Sequence, residues 1–586
     1  MLRSTLLVFA VFAGFGGFVR DLCAQAQEAS NVVKAFDAWL RAYRKGTYVF
    51  LEPVEEGKKP GARVEGRDIS KESVLTSYGL TKGELGRLTR RREIEILLKR
   101  SVEENSPAAA QRVLATAAIG LDQIAYPVNA APHVVRSLGE AAIVKFTSPE
   151  AKDAILQAGR ERKETGDGKD VAVAMQAAAL RALGAYGEAA FRPTLEGQLV
   201  SADERLRVAA ADGLTRLAMP ASVDALANSL AKETKDSVLD AMVAALHRTI
   251  EKHEKEVPAA AARMAMQAAI AALGRGGWRT DLALIDFLAR FRSGEVVPAM
   301  IGVLERFAQS LDDVKSGKLS TLLRHRAQDA LVALTGSFHP ADKPEEWRAW
   351  WEKTKTGFQV APAKESASAQ GKGGTVTKGF FGIPVEGSRI VFVVDVSGSM
   401  KAAFPHREGG TTTGGKDQDR VYTRLDAARD NLIETITALP EETKFNIVKF
   451  SEGVEPWSKE LVAADAKNKK SALEYVKKMK PETGTNFWAG LKRGLEIKSL
   501  VYGSRYDSNV DEVFVLSDGL PSVGEVIDPE EILKLVAETN RVSHVRINAV
   551  YLGSEGSQLD GGRDGGPFME RLAKENGGKF VRKADK

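Results

Sequence analysis

The chain has 586 residues, which is too long for a single hydrophobic core and predicts three or four domain-sized units. Hydrophobic residues make up 44% of it and charged residues 27%, as in ordinary soluble globular proteins. A net charge of +5 over this length is weak, and the short basic run at 86–100 has apolar residues at helical spacing. We interpret that run as a solvated helix face, so no nucleic-acid partner is expected.

The first residues have the pattern of an export signal. Arg3 supplies the positive charge, residues 6–19 form an apolar and glycine run, and Ala24-Gln25-Ala26 gives the small-x-small pattern that signal peptidase recognises. As a helix the run spans about 21 Å, against roughly 30 Å of bilayer hydrocarbon. We therefore expect residues 1–26 to be a cleaved signal peptide, with no stable transmembrane segment afterwards. Retention of the segment as an anchor is the alternative.

Cys23 is the single cysteine, and it lies within this segment. Cleavage after Ala26 leaves a chain that has no disulfide, no thiolate nucleophile and no zinc–thiolate site. An exported chain without cysteine is typical of the bacterial envelope, so the expected location is the periplasm, the cell surface or the medium.

The next region, residues 31–356, is rich in alanine, leucine and charge, with helical periodicity. A weak repeat runs through it, because the segments around Leu180, Leu214 and Leu246 match at spacings of 34 and 32 residues. A period in the low thirties with two helices per unit predicts an α-solenoid. The pattern at 206–214 resembles HEAT repeats.

Three tryptophans, Trp347, Trp350 and Trp351, fall on one helical face at the end of this region. We interpret them as a cap on the last repeat, with an exposed aromatic platform for a carbohydrate or peptide as the alternative. Residues 357–378 are rich in Ser, Ala, Gly and Lys without apolar periodicity, which predicts a flexible linker. From residue 379 to 586, β-branched runs alternate with amphipathic helices, as in a parallel α/β domain.

Two apolar runs in this last domain end in acidic loops. Residues 390–394 lead into Asp395-Val-Ser-Gly-Ser-Met400, and residues 513–517 lead into Asp518-Gly519. Between them lies the turn-like segment 482–486, followed by a helical stretch at 487–497. Such runs are expected to be buried parallel strands, and the C-terminal ends of parallel strands form the ligand crevice of a doubly wound sheet.

The side chains at these strand ends are hard oxygen donors, without histidine or cysteine. Two carboxylates and three hydroxyls suit Mg²⁺ better than zinc or copper, with Mn²⁺ and Ca²⁺ as alternatives. Neutral hydroxyls compensate the charge of a cation poorly, so an incoming carboxylate would complete the site. The predicted metal residues are Asp395, Ser397, Ser399, Thr485 and Asp518.

The combination of D-x-S-x-S after an apolar strand, a Gly-Thr-Asn turn and a later strand ending in Asp-Gly resembles the metal-ion-dependent adhesion site of von Willebrand factor A domains. The resemblance covers residues 379–586. It implies a Rossmann-like, doubly wound α/β sheet, direct metal ligation by Ser397, Ser399 and Thr485, and aspartates that often act through water. The predicted fold is therefore an all-α, HEAT-like solenoid followed by such a sheet. The alternative is the same fold with an acidic loop that merely stabilises the sheet end.

Residues 401–423, rich in Gly and Thr, form a longer connection than is usual in that family. Since the segment leaves the predicted metal loop directly, it either shapes the ligand site or is a surface insertion.

We find no HExxH, Walker, GxSxG or strand-linked GxGxxG motif in the sequence and expect no enzyme. The leading hypothesis is an exported adhesion or assembly protein whose metal site binds an Asp or Glu carboxylate of a protein partner. The alternative is a structural scaffold of an envelope complex, in which the helical repeats carry binding and the metal site is regulatory.

Overall fold

The computed structural model describes residues 29–46, 68–80, 88–122, 124, 126, 132–161, 169–362, 379–405, 421–496, 508–554 and 564–584. The predicted signal peptide, most of the predicted linker and most of the 401–423 connection lie outside these residues. The described chain forms two compact units, which divide after Tyr186.

The first unit is helical, and close packing of small residues holds its helices together. Gly139 illustrates this, since a Cβ at that position would lie 2.6 Å from the backbone nitrogen of Ala117 on a neighbouring helix. The helices are α1 (Asn31–Arg44), α2 (Val74–Ser77), α3 (Arg90–Glu104), α4 (Pro107–Ala117), α5 (Pro132–Ile143), α6 (Pro149–Arg160) and α7 (Lys169–Tyr186).

The second unit begins with stacked helical pairs. Helix α9 packs against α11 and α10 against α12, so each helix lies beside the next-but-one along the chain. Leu214 on α9 and Leu246 on α11 are both buried, and the HEAT-like character of the repeat stays a prediction. The helices are α8 (Arg192–Gln198), α9 (Glu204–Leu217), α10 (Val223–Leu230), α11 (Asp236–Lys252), α12 (Ala259–Ala272), α13 (Trp278–Leu288), α14 (Val296–Gln309), α15 (Leu311–Ser316), α16 (Thr321–Thr335) and α17 (Pro344–Thr354).

The tryptophans of α17 close this helical part. Trp347 is fully buried, and its indole N–H donates to Gln328 Oε1 at 3.1 Å. Trp350 and Trp351 are half-buried and pack edge-on against Phe358, with ring centroids 6.2 and 5.0 Å away. These contacts agree with a packing role for the aromatic face.

A seven-stranded sheet completes the unit, in the order β3-β2-β1-β5-β6-β7 with β4 also paired to β2. The strands β1, β2, β5, β6 and β7 run parallel, while β3 and β4 are antiparallel to β2. The strands are β1 (Arg389–Asp395), β2 (Lys444–Phe450), β3 (Val454–Pro456), β4 (Val462–Ala463), β5 (Glu512–Ser517), β6 (Arg546–Leu552) and β7 (Phe580–Lys583).

Helices cover both faces of the sheet, which confirms the predicted doubly wound α/β fold after a helix-rich region. On one face, α18 and α19 pack around Phe392 and Phe514, whose rings stack at 5.5 Å. On the other, α20, α21 and α22 pack around Val393 and Val515. The helices are α18 (Arg424–Ala438), α19 (Ala466–Lys478), α20 (Phe487–Gly494), α21 (Pro529–Ser543) and α22 (Gly566–Glu575).

The N-terminal edge of the sheet rests on the stacked helices of the same unit. Asp511, just before β5, accepts a 2.9 Å bond from the hydroxyl of Ser320 at the start of α16. Arg279 on α13 donates from its guanidinium to the carbonyl oxygens of Ser508, Val510 and Ser543. The C-terminal edge, where ligands bind in such sheets, is the opposite one. Among the helices in the described ranges, none is both long and apolar enough to cross a bilayer.

Candidate metal centre

Strand β1 delivers Asp395 to the C-terminal edge of the sheet, where a 3₁₀ turn at Gly398–Lys401 follows. Asp395 is fully buried, and its Oδ1 accepts a 2.7 Å bond from the backbone N–H of Ser397. The hydroxyl oxygens of Ser397 and Ser399 lie 2.9 Å apart. The tight turn therefore brings two predicted ligand hydroxyls together beside the first carboxylate.

The end of β5 brings the second carboxylate to the same place. Ser399 donates a 2.7 Å bond from its hydroxyl to Oδ1 of Asp518, 119 residues away in the chain. Ser517 donates a 2.6 Å bond from its hydroxyl to Oδ2 of Asp395. Because β1 and β5 are adjacent parallel strands, their ends meet, and four of the five predicted residues lie in one hydrogen-bonded cluster.

Thr485 reaches this edge on a separate loop. The loop is held to the metal loop by a 2.6 Å bond from the Glu482 N–H to the Val396 carbonyl. Gly484 adopts φ +72°, a left-handed conformation that favours glycine, just before the threonine. The Thr485 N–H donates to Ser522 Oγ at 3.0 Å, which holds the loop to the segment after β5.

Thr485 is nearly buried, at 7% exposure, but it has no direct hydrogen bond to the other four predicted residues. Helix α20 follows directly and is fixed against β2, since a Cβ at Gly490 would lie 2.7 Å from Phe450 Cγ. The loop is therefore anchored at both ends. Within the described residues, the threonine hydroxyl has no hydrogen-bond partner, so its lone pairs remain available.

The two carboxylates are electrostatically unlike. Burial and, second, the negative charge of Asp518 raise the pKa of Asp395 to about 7, while hydrogen bonds from Ser517 and Ser397 act in the opposite direction. Asp518, by contrast, is paired with the guanidinium of Arg424, whose Nη1 lies 2.8 Å from its Oδ2. A cation placed beside Asp395 would offset the cost of burying its negative charge.

The donor chemistry fits one hard divalent cation. The five predicted residues together offer two carboxylates and three hydroxyls, a set that favours Mg²⁺, Mn²⁺ or Ca²⁺ over softer metals. Among the described residues, no group of three or more His, Cys, Asp or Glu side chains is arranged so that it could hold a metal ion. A cation held here would therefore depend on the serine and threonine hydroxyls as well as on the aspartates.

Arg424 and Ser517 are part of this cluster, although the sequence pattern did not single them out. Ser517 immediately precedes Asp518 within the predicted strand, so its position next to a metal residue was the available signal. Arg424 is separated from the metal loop by the 401–423 connection, and no local pattern marks it. The connection is closed at its base, where the Phe404 N–H donates to the Tyr422 carbonyl at 2.8 Å.

Comparison with known families agrees with this architecture. Residues 419–581 match the model of the von Willebrand factor type A domain family. The C-terminal part of the chain is therefore similar to von Willebrand factor A domains. The match begins after the Asp395 loop, so β1 and the first three predicted metal residues are assigned to the domain by the sheet topology.

The C-terminal domain is also similar to part of several larger proteins. Inter-alpha-trypsin inhibitor heavy chain H3 of Rattus norvegicus is 30% identical over 207 residues, which are 34% of this chain and 20% of the relative. Heavy chain H1 of Sus scrofa is 28% identical over 154 residues, 26% of this chain and 15% of the relative. The chain thus matches a fifth or less of the length of these relatives.

Solved structures show more distant likeness. An aerotolerance-related membrane protein from Bacteroides fragilis is 18% identical, with a TM-score of 0.22, covering 33% of this chain and 90% of that one. The PilB minor pilin of Streptococcus sanguinis is 16% identical, with a TM-score of 0.23, covering 33% of this chain and 56% of that one.

Proposed function

We propose that the von Willebrand factor A domain binds one divalent cation, Mg²⁺ in the first place, and captures an Asp or Glu carboxylate of a protein partner through it. The domain type and its relatives support a protein-binding role in general. The observation that carries the metal-dependent form is the convergence of two separate loops. Ser399 on the first loop donates to Asp518 on the second at 2.7 Å, and Ser517, next to Asp518, donates to Asp395 at 2.6 Å.

The residues divide into those that would touch the cation and those that would hold it through water. Ser397, Ser399 and Thr485 would offer neutral hydroxyl oxygens, and Asp395 and Asp518 would orient coordinated water and balance charge. The bound cation would supply a positive centre with a position open to an anionic oxygen. Mg²⁺ requires near-octahedral coordination and keeps several waters, so replacing one water by a partner carboxylate is a natural recognition step.

The expected role is binding rather than catalysis. Ser397 and Ser399 share or donate their hydroxyl protons within the cluster, and no histidine, the usual activating base of a nucleophilic serine, is among their described partners. Hydrolysis of a generic ester that disappears in Asp518→Ala would contradict this proposal.

The decisive experiment titrates the full chain with Mg²⁺ and Mn²⁺ by calorimetry, comparing wild type with Asp395→Ala. Loss of groups that hold a metal's ligands weakens binding by about 10- to 100-fold, and we expect a loss of this size. Glu482→Gln is the matched control, because this carboxylate lies beside the metal loop but bonds to Ser451 and Lys449 instead. A wild-type protein that binds neither Mg²⁺ nor Mn²⁺ would refute the proposal.

The second candidate function is a scaffold in which the stacked helices carry binding. It is favoured by the extensive contacts between these helices and the N-terminal edge of the sheet. Pull-down from envelope extract with and without chelator separates the two, since a scaffold retains its partner when the metal is removed.

We propose further that the protein is exported to the periplasm, the cell surface or the medium. The support is the sequence pattern of residues 1–26, and N-terminal sequencing of the mature protein should then begin at Gln27. Recovery of an intact N-terminus from the envelope fraction would indicate a retained anchor.

A further inference from the structure

The side chain of Arg424 is buried at the metal centre. It is 1% exposed, and its Nη1 lies 2.8 Å from Oδ2 of Asp518, whose side chain is fully buried. The other oxygen of the same carboxylate, Oδ1, accepts the hydroxyl of Ser399 at 2.7 Å. The Arg424 guanidinium and the Ser399 hydroxyl therefore contact different oxygens of the Asp518 carboxylate. The guanidinium does not compete with the serine for the same oxygen.

The backbone holds Arg424 in this position. Its N–H donates to the Ala402 carbonyl at 3.0 Å, and the Ala402 N–H donates to the Ser399 carbonyl at 2.9 Å. Thr423 caps the helix α18 that Arg424 begins, in a reciprocal capping box with Asp426. The arginine is thus linked by two backbone bonds to the turn that carries the serine hydroxyls.

We infer that Arg424 is a positioning residue that sets the net charge of the metal site once a cation is bound. Its guanidinium raises the affinity of the cation-bound site for an anionic ligand and lowers the affinity of the empty site for the cation. The inference rests on the proposed metal binding. Counted over Asp395, Asp518 and Arg424, the side chains carry one net negative charge when both aspartates are ionised. A divalent cation brings this sum to +1, whereas without the arginine it would be zero.

The two consequences have opposite signs. A buried guanidinium repels an incoming cation, because charges a few ångströms apart interact strongly away from bulk water. Once the cation is bound, the excess positive charge attracts a carboxylate. A purely structural arginine would behave differently, since its removal would loosen the site and weaken both binding steps.

The test uses linkage between Mg²⁺ and acetate, the probe for a carboxylate. The Mg²⁺ affinity of the full chain is measured by calorimetry in chloride, in acetate and in acetamide, which is neutral and of similar shape. The factor by which acetate raises the Mg²⁺ affinity is the coupling between the two sites, and it is reciprocal. Wild type is expected to show coupling with acetate and none with acetamide.

In Arg424→Gln we expect the Mg²⁺ affinity without acetate to rise about tenfold and the acetate coupling to fall about tenfold. Arg424→Lys keeps the charge and should stay close to wild type in both. Lys401→Gln is the matched control, because it removes an exposed cation from the same turn and should change neither quantity appreciably. Should Arg424→Gln fail to fold, the same two measurements are made on Arg424→Met, which keeps an unbranched apolar side chain at this buried position.

A variant that weakens both binding steps, or that leaves the acetate coupling unchanged, overturns the inference while the proposed function stands. A wild-type chain that binds no Mg²⁺ refutes the proposed function itself. If Mg²⁺ then binds only to Arg424→Gln, the arginine replaces the cation rather than tuning it, and the inference is also wrong.

Discussion

A variant carrying Asp518→Ala is expected to lose about 3 kcal/mol of unfolding free energy in the absence of any divalent cation. The substitution removes the carboxylate 2.8 Å from the guanidinium of Arg424, which is 1% exposed. It also removes the acceptor of the Ser399 hydroxyl. Breaking one half of a buried ion pair costs more than the pair contributes, because the remaining charge stays away from water.

The double variant Asp518→Ala/Arg424→Met separates this charge effect from simple loss of contacts. With both charges removed, most of the stability should return, leaving a loss of about 1 kcal/mol for the serine hydroxyl. The measurement is urea unfolding in the presence of a chelator, monitored by hydrogen exchange of the backbone amides in β5 and in the first turn of α18. These amides report the stability of the second unit. Strictly additive losses in the double variant would mean that the pair is not coupled.

The sheet and its acidic loops were predictable because local patterns mark them. The apolar run before Asp395 predicts a strand buried on both faces, and β1 has that burial along nearly its whole length. Parallel strand ends meet at one edge, so the proximity of Asp395 and Asp518 followed from two separate strand predictions. The antiparallel strands β3 and β4 were not predicted, since three and two residues are too short to show alternation.

Arg424 and the contacts beneath the sheet were not predictable for a different reason. Both depend on pairs of residues that are far apart in the chain, such as Ser320 and Asp511, which are 191 positions apart. Neither Ser320 nor Asp511 belongs to a motif, and serine and aspartate are residue types that are usually found at the protein surface. Only the folded arrangement shows that a carboxylate with no role in the metal site is fully buried.

Asp511→Ala is expected to destabilise the second unit by about 4 kcal/mol, the largest loss we predict for a residue outside the metal centre. Asp511 is fully buried and accepts five hydrogen bonds. The hydroxyl of Ser320 donates at 2.9 Å, the N–H and hydroxyl of Ser388 at 3.2 and 2.9 Å, and the Arg389 guanidinium at 2.9 and 2.6 Å. Removing the carboxylate takes away the acceptor of these five hydrogen bonds in a site that solvent reaches poorly.

Two variants identify which of these bonds matter. Asp511→Asn keeps the shape but loses the charge, and should cost less than alanine because one amide oxygen still accepts. Ser320→Ala removes a single neutral donor and should cost about 1 kcal/mol. Ser320 also caps α16 by accepting the Leu322 N–H at 3.3 Å. In Asp511→Ala, hydrogen exchange of the backbone amides should therefore accelerate both at the start of α16 and in β1. Faster exchange in β1 alone would show that the stacked helices do not depend on the sheet edge for their stability.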